Sequence, residues 1–378
     1  MKIGLLGCGV VGSGVLKIVD GMQDSSFAIA KILVRTPAKI TEACMTADPD
    51  EILNDAGINV IVECMGGLEP ARTYVLQALQ NGKSVVTSNK KMFALYEQEL
   101  RTAAAEHGCA LRYEACAGGG IPWIHELERI RRIDGISSVR GIMNGTTNYI
   151  LSNMTASGMQ FEQALAEAQA KGYAEADPTD DIDGYDVRSK TAISAMTAFG
   201  MPADPGDIPV FGIRTVQAQD LAWGKAHNRI LKLIGRAEHT NGSLSACVMP
   251  VFLKNTDILA AVGSNLNAVE AVSDTLGPSM YIGQGAGSLP TAHAVVQDLL
   301  TIRDGCLCKE PEARVPVSES GRTAQYYVRT VNPHAFADIT AEKADTNILL
   351  SREITLTELC TYIEKASDSS LFIAEVEK

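Results

Sequence analysis

Residues 2–12 read KIGLLGCGVVG, an apolar strand that runs directly into the pattern Gly-x-Gly-x-x-Gly. In a turn of this kind the first glycine permits the tight bend, the second lets a pyrophosphate approach the backbone, and the third allows the following helix to pack closely on the strand. The helix predicted over 12–19 would then offer its N-terminal N–H groups to the phosphates. We predict a dinucleotide-binding turn, with a purely structural turn as the alternative, formed by Gly7, Gly9, Val10, Val11 and Gly12.

The second predicted strand, 28–34, ends in Arg35 and Thr36. Dinucleotide sites that hold a ribose 2′-hydroxyl carry an acidic residue at this point, whereas a guanidinium suits a 2′-phosphate. Arg35 therefore favours NADP over NAD, which stays possible. The alternative is that Arg35 only faces solvent.

Strands and helices go on alternating beyond this point. Helical stretches at 69–81 and 95–107 separate apolar, strand-like segments at 59–65, 84–90 and 110–116. This alternation predicts an α/β fold with a Rossmann-type doubly wound parallel sheet.

Ligands of such a sheet bind beyond the carboxyl ends of its strands, where Ser88 and Lys90 lie. A surface lysine at a strand end is the alternative interpretation of Lys90. Farther along, GQGAG at 283–287 precedes a helical stretch with Pro290 near its start, a set of backbone N–H groups suited to a phosphate or a nicotinamide. We predict that Ser88, Lys90 and Gly287 belong to the cofactor site.

Composition limits the classes of function. A chain of 378 residues exceeds one ordinary core, so two or three domains are expected. The net charge of −12 provides no basic field for phosphate backbones, which argues against nucleic acid as a partner. No apolar run reaches membrane-spanning length, so we expect no membrane contact and a cytoplasmic location. The nine cysteines are interpreted as buried thiols, and Cys306 and Cys308 lack the spacing of a zinc site.

The segment GYAEADPTDDIDGYDVRSK, residues 172–190, carries six carboxylates from Glu175 to Asp186 and one lysine four residues later. A solvated acidic loop is the ordinary explanation of such a run. A calcium loop of the EF-hand type is excluded, because Thr179 and Lys190 stand where acidic ligands are required. Asp186 and Lys190, four residues apart, share one face of a predicted helix. An ordinary exposed ion pair on that helix is the alternative explanation of their spacing.

Several motifs, in order over residues 1–300, resemble those of homoserine dehydrogenases. Besides the N-terminal turn and the acidic segment they are TSNK at 87–90, YEACAGGGIP at 113–122, GIMNGTTNYI at 141–150 and GQGAGSLPTAHAVVQD at 283–298. The resemblance implies an NAD(P)-dependent oxidoreductase that interconverts L-homoserine and L-aspartate 4-semialdehyde, on the way to threonine and methionine. Another reductase of amino-acid biosynthesis would share the turn but not the acidic segment, and a non-enzymatic cofactor sensor would not need the two lysines.

The resemblance also implies a domain organisation. A nucleotide-binding domain is expected over 1–130 plus about 288–310, an α+β substrate-binding and dimerisation domain over 131–287, and a short ACT-like C-terminal module over 322–378. A homodimer acting on a small amino-acid substrate is implied. Pro333-His334 stands where the module usually has Pro-Gly, so we expect threonine to inhibit weakly or not at all.

The family's site residues carry over to this sequence one by one. Lys190 resembles the proton donor and Lys90 a second catalytic lysine. A sodium ion is implied at the Glu114 side chain and the backbone oxygens of Ala117, Gly119 and Ile121, an oxygen-only set that a hard cation prefers. The implied substrate pocket comprises Gly145, Thr146, Tyr173, Glu175, Asp181 and Asp186.

Overall fold

A computed structural model describes residues 1–23, 26–39, 41–305, 311–318 and 321–378. Cys306 and Cys308, and the end of the segment expected over 288–310, lie outside the described residues. Within the described ranges, no helix combines the length and the apolar character that a membrane crossing needs.

The described residues form strands and α-helices along the whole chain. In chain order, strands β1 to β16 are Lys2–Leu6, Ala28–Leu33, Met45–Thr46, Val60–Glu63, Ser84–Thr87, Leu111–Arg112, Ile136–Ile142, Arg229–Thr240, Ser243–Lys254, Leu266–Ser273, Gly277–Gln284, Thr323–Arg329, Thr340–Lys343, Ile348–Ser351, Ile354–Thr355 and Phe372–Val376. Helices α1 to α13 are Val10–Gly21, Asp50–Leu53, Ala71–Gln80, Lys90–Glu106, Trp123–Arg131, Gly145–Ser157, Phe161–Ala170, Thr179–Ile182, Tyr185–Phe199, Ala218–Ala226, Ile258–Ala261, Ser288–Arg303 and Leu356–Ala366.

The chain divides into two compact units that interleave in sequence. The first unit comprises Met1–Ile133, Met196–Pro205 and Gly283–Val315. The second unit comprises Asp134–Ala195, Gly206–Ile282 and Pro316–Lys378.

The first unit is built on a parallel sheet with the strand order β3-β2-β1-β4-β5-β6. This is the doubly wound order, so the fold predicted from the alternating pattern is confirmed. One face of the sheet, with Ile3, Leu5 and Val62, packs in a single core with Val15 of α1 and Val295 of α12. From β1 the chain first adds strands on one side of the sheet, β2 and β3, and then on the other side, beginning with β4. Ligands of a doubly wound sheet bind at this switch point between β1 and β4, beyond the carboxyl ends of the strands.

The second unit is built on a mixed sheet in which β7 pairs antiparallel with β8 and β10. Strands β8 and β9 form a hairpin across Asn241 and Gly242, whose φ values of 51° and 79° match the left-handed pair of a type I′ turn. Gly235 of β8 lets α9 approach the sheet, because a Cβ there would lie 2.3 Å from Thr191 Oγ1. This close packing places the helix that carries Lys190 directly on the sheet.

The C-terminal strands extend the same sheet. Their order is β16-β12-β14-β13, and β16 joins β9 in parallel through pairs such as Glu375 with Val251. A 3-10 helix, Pro333–Ile339, occupies the first crossover and α13 the second. The chain after 322 thus belongs to the second unit, and its ACT-like character stays a prediction.

Candidate functional site

The glycine-rich turn after β1 has a separate role for each glycine. Gly7 has a φ of +93°, which favours glycine, and a Cβ on Gly12 would lie 2.1 Å from the Gly7 oxygen. Gly9 precedes the first residue of α1, and a Cβ on Gly9 would meet no atom within 4 Å. The turn therefore packs tightly on its protein side and leaves open space beside Gly9, at the helix N-terminus where Val10 and Val11 follow.

The end of β2 presents Arg35 to solvent. The side chain forms no hydrogen bond or ion pair with the described part of the chain, so it is free to meet a ligand. Its location one strand away from the glycine turn suits contact with the ribose of a bound dinucleotide.

The loop after β5 leads into α4, whose first residue is the half-buried Lys90. Asn89 caps this helix, because its side chain accepts a hydrogen bond of 3.2 Å from Met92 N. Ser88 donates from its backbone N to the oxygen of Glu63 at 3.1 Å. Capping fixes the backbone from which the Lys90 side chain extends.

Two glycine-containing loops of the first unit touch each other near the start of α12. The Gly120 N–H donates to the Gln284 oxygen at 2.9 Å, and a Cβ on Gly119 would lie 2.3 Å from the Gly285 carbonyl. Gly287, with a φ of +126°, precedes the first residue of α12. The segment predicted to bind sodium and the glycine-rich turn at 283–287 are therefore neighbours.

Glu114 is buried, and its carboxylate accepts hydrogen bonds from backbone N–H groups in the first turn of α5. Its carboxylate accepts from Ile124 N at 3.1 Å, from His125 N at 2.7 Å and from His125 Nδ1 at 2.7 Å. The hydrogen bond with Glu114 raises the pKa of His125. Three donors leave one carboxylate lone pair for a cation, so an ion at this place would depend mainly on backbone oxygens such as those of Ala117 and Gly119.

In the second unit, Lys190 lies beside Asp186, and both are buried: 7% of the surface of the whole Lys190 residue and 5% of that of Asp186 are exposed. Lys190 Nζ donates to Asp186 Oδ2 at 2.7 Å and to the Met143 oxygen at 2.7 Å. The two residues do share a helix face, as their spacing predicts. An exposed ion pair, the alternative explanation, is excluded by this burial.

Asn144 connects two of the side-chain carboxylates that are predicted to bind the substrate. Its Nδ2 donates to Asp181 Oδ1 at 2.6 Å and to Asp186 Oδ2 at 2.9 Å, while its Oδ1 accepts from Thr147 N at 2.8 Å and caps α6. Asn144 is not among the site residues predicted from the sequence. The available signal was an asparagine directly before Gly145 at the start of a helix, which is a favoured capping position.

The remaining predicted pocket residues lie around the start of α6. Thr146 Oγ1 donates to the Tyr173 oxygen at 2.6 Å. Gly145 approaches the next segment closely, because a Cβ there would lie 2.6 Å from the Asn265 oxygen. Glu175 is exposed, and its backbone oxygen accepts from Gln169 Nε2 at 3.0 Å. The structure thus gathers Asp181, Asp186 and Lys190 through shared hydrogen bonds, and joins Thr146 to Tyr173.

A doubly wound sheet with an open glycine turn, together with a second unit that buries a lysine beside a carboxylate, is typical of a nicotinamide-dependent oxidoreductase. Comparisons with known proteins identify the family. A model described as the NAD-binding domain of homoserine dehydrogenase matches residues 7–114, and a model described as homoserine dehydrogenase matches residues 122–300.

Individual relatives agree with the family models. The homoserine dehydrogenase of Bacillus subtilis is 38% identical over 314 residues, which cover 80% of this chain and 72% of the relative. The crystal structure of a homoserine dehydrogenase from Thiobacillus denitrificans superposes with a TM-score of 0.89 at 32% identity, covering 100% of this chain and 98% of that one. A hyperthermophilic archaeal homoserine dehydrogenase mutant in complex with NADPH gives a TM-score of 0.71 at 25% identity, covering 81% and 98%.

This chain belongs to the homoserine dehydrogenase family. The predicted activity is thereby confirmed: the protein is an NAD(P)-dependent oxidoreductase of amino-acid biosynthesis that interconverts L-homoserine and L-aspartate 4-semialdehyde.

Proposed function

We propose that Lys190 is the proton donor of this reaction. When the nicotinamide cofactor is bound, it supplies the hydride that reduces the aldehyde carbon. Negative charge then develops on the aldehyde oxygen, and a cation that also donates a proton lowers the barrier in both ways. The observation that carries the proposal is the burial of Lys190 Nζ between Asp186 and the Met143 oxygen, because these contacts fix the direction of the ammonium group.

The carboxylates of the second unit suit an amino-acid substrate. Asp181 and Asp186 meet at Asn144 and carry two negative charges, while Lys190 carries one positive charge. The resulting charge of −1 complements the substrate ammonium group, which can form charge-assisted hydrogen bonds with either carboxylate. We assign Tyr173 and Glu175 to the rim of this pocket. The N–H groups of Gly145 and Thr146, in the first turn of α6, are the donors proposed for the substrate carboxylate.

The first unit carries the other proposed groups. Lys90 is proposed as a second catalytic lysine at the mouth of the cofactor site, with Gly7 to Gly12, Ser88 and Gly287 around the dinucleotide. NADP is proposed as the preferred cofactor, because Arg35 is exposed and offers a guanidinium to a 2′-phosphate.

Three further features complete the proposal. A sodium ion is proposed beside Glu114, held mainly by the backbone oxygens of Ala117, Gly119 and Ile121. The protein is proposed to act as a homodimer in the cytoplasm. With His334 in place of glycine in the C-terminal segment, strong inhibition by threonine is not expected.

A pair of neutralising variants tests the proposed pocket. Asp181→Asn should raise KM for homoserine by about tenfold or more, because the residual negative charge that attracts the ammonium group is lost. Asp183→Asn is the matched control: Asp183 lies two positions along the chain and pairs with the exposed Arg214 at 2.7 Å. Steady-state kinetics with homoserine as the varied substrate provide the measurement. Equal KM values for the two variants would show that the acidic segment acts only as a solvated loop.

A further inference from the structure

Glu63 is a buried carboxylate to which the motifs assign no role. It is the last residue of β4 and is 0% exposed. Burial raises the pKa of its carboxyl group, whereas hydrogen bonds from Thr87, Met65, Gly66 and Asn89 oppose that rise. A buried carboxylate at the carboxyl end of a central strand, with this many hydrogen-bond donors around it, has a structural or functional reason to be there.

Each oxygen of Glu63 serves a different loop. Oε1 accepts from Met65 N at 2.7 Å, in the loop after β4. Oε2 accepts from Thr87 Oγ1 at 2.6 Å, at the end of β5. Both loops follow strands at the carboxyl edge of the sheet, where a doubly wound fold binds its ligands. One side chain therefore joins two loops of the cofactor edge.

The hydrogen bonds continue from Thr87 to the start of α4. Thr87 Oγ1 accepts from Asn89 N at 3.0 Å. Asn89 Nδ2 then donates to the Gly67 oxygen at 2.6 Å, which joins the two loops a second time, and its Oδ1 caps α4. Lys90 is the next residue along the chain. The backbone that carries Lys90 is thus fixed, through Asn89 and Thr87, by the Glu63 carboxylate.

We propose that Glu63 is a positioning residue for the reaction, which holds the start of α4 and thereby the direction of Lys90. This inference rests on the catalytic role proposed for Lys90. Glutamine in place of Glu63 offers a single acceptor oxygen and an NH₂ group, so one of the two loops would face a donor where it now finds an acceptor. The change is almost isosteric: it removes the negative charge and reverses or breaks the hydrogen bond at one of the two loops, without leaving a cavity.

Three variants test the proposal by kinetics, namely Glu63→Gln, Lys90→Met and their combination. Glu63→Gln should lower kcat by about tenfold or more, because small displacements of a catalytic group are costly to rate. In the Lys90→Met background, the same change should alter kcat by less than about twofold, because the group that Glu63 positions is already absent. Protein melting temperature and NADPH affinity, measured by fluorescence titration, accompany each rate.

Glu97→Gln is the matched control for loss of a buried carboxylate. Glu97 lies in α4, is 3% exposed and pairs with Arg314 at 3.2 Å. This variant should lose stability and keep the normal kcat when assayed well below its melting temperature. The comparison separates a positioning effect from general destabilisation of the first unit.

The outcomes distinguish this inference from the proposal on which it rests. A normal kcat in Lys90→Met would remove the catalytic role of Lys90 and the inference with it. A slow Lys90→Met with a normal Glu63→Gln would overturn the positioning role alone. The positioning role would also be overturned if Glu63→Gln lowered kcat equally with and without Lys90, or no more than Glu97→Gln does.

Discussion

Replacing Lys190 with methionine should lower both the stability of the second unit and, if Lys190 is the proton donor proposed above, the turnover of the enzyme. The ammonium group lies 2.7 Å from Asp186, and both side chains are buried, at 8% and 3% exposure. Removing one partner of a buried pair leaves the other charge without compensation, which typically costs 3–5 kcal/mol. Asn144 would still donate to Asp186 at 2.9 Å, so we expect a loss near the lower bound, about 3 kcal/mol.

The effect on turnover should be larger than this loss can explain. Loss of a proton donor that also stabilises developing charge lowers kcat by roughly a hundredfold or more. The assay is homoserine oxidation and aldehyde reduction, followed by NADPH absorbance at a temperature well below the melting point of the variant. NADPH affinity should be retained, because the glycine turn at Gly7 to Gly12 belongs to the other unit.

A double variant separates the two effects. In Lys190→Met combined with Asp186→Asn, neither side chain is charged, so much of the lost stability should return. Turnover should stay low, because the proton donor is still missing. Recovery of turnover together with stability would refute the catalytic assignment and leave a purely structural ion pair. A kcat within about threefold of the wild type in Lys190→Met alone would refute it directly.

Two other predictions concern Arg35 and Lys232. Arg35→Asp should lower the ratio of kcat/KM for NADP to kcat/KM for NAD by about tenfold or more. The reason is that a carboxylate accepts a hydrogen bond from a 2′-hydroxyl and repels a 2′-phosphate. An unchanged ratio would place Arg35 outside the cofactor site. Burial lowers the pKa of Lys232 from 10.5 to about 8. Between these values the unfolded chain binds the proton and the folded chain does not, so this group makes stability rise from pH 8 to 10.5, by roughly 3 kcal/mol at most. Urea unfolding across this window should show a smaller rise in Lys232→Met, and identical slopes for variant and wild type would contradict the shift.

The fold of the first unit could be predicted because its signals are local. The glycine turn at 7–12 has one chemical reason for each glycine, and the alternation of strands with helices permits few topologies. The motifs that resemble homoserine dehydrogenases also lie within short stretches of sequence. Local patterns of this kind do not depend on which distant segments meet.

The features that were missed depend on tertiary contacts. Glu63 lies at the end of an apolar strand, where sequence gives no sign that its two oxygens join two loops. Asn144 carries an ordinary helix-capping signal, and its second role appears only when α8 and α9 bring Asp181 and Asp186 to the same amide. Burial of Lys190 was equally unpredictable, because a spacing of four residues fixes a shared face and not the depth of that face.

Four of the six carboxylates of the acidic segment have clearly different environments. Asp177 accepts from Thr179 N in a local turn, and Asp183 pairs with Arg214 at the surface. Asp181 and Asp186 instead share Asn144, and like charges in one place repel unless a cation and hydrogen-bond donors offset them. Lys190 supplies that cation to Asp186 from one turn farther along α9. Charge density along the sequence therefore says little about function here, whereas the close packing of α9 on the sheet buries Asp186 together with Lys190.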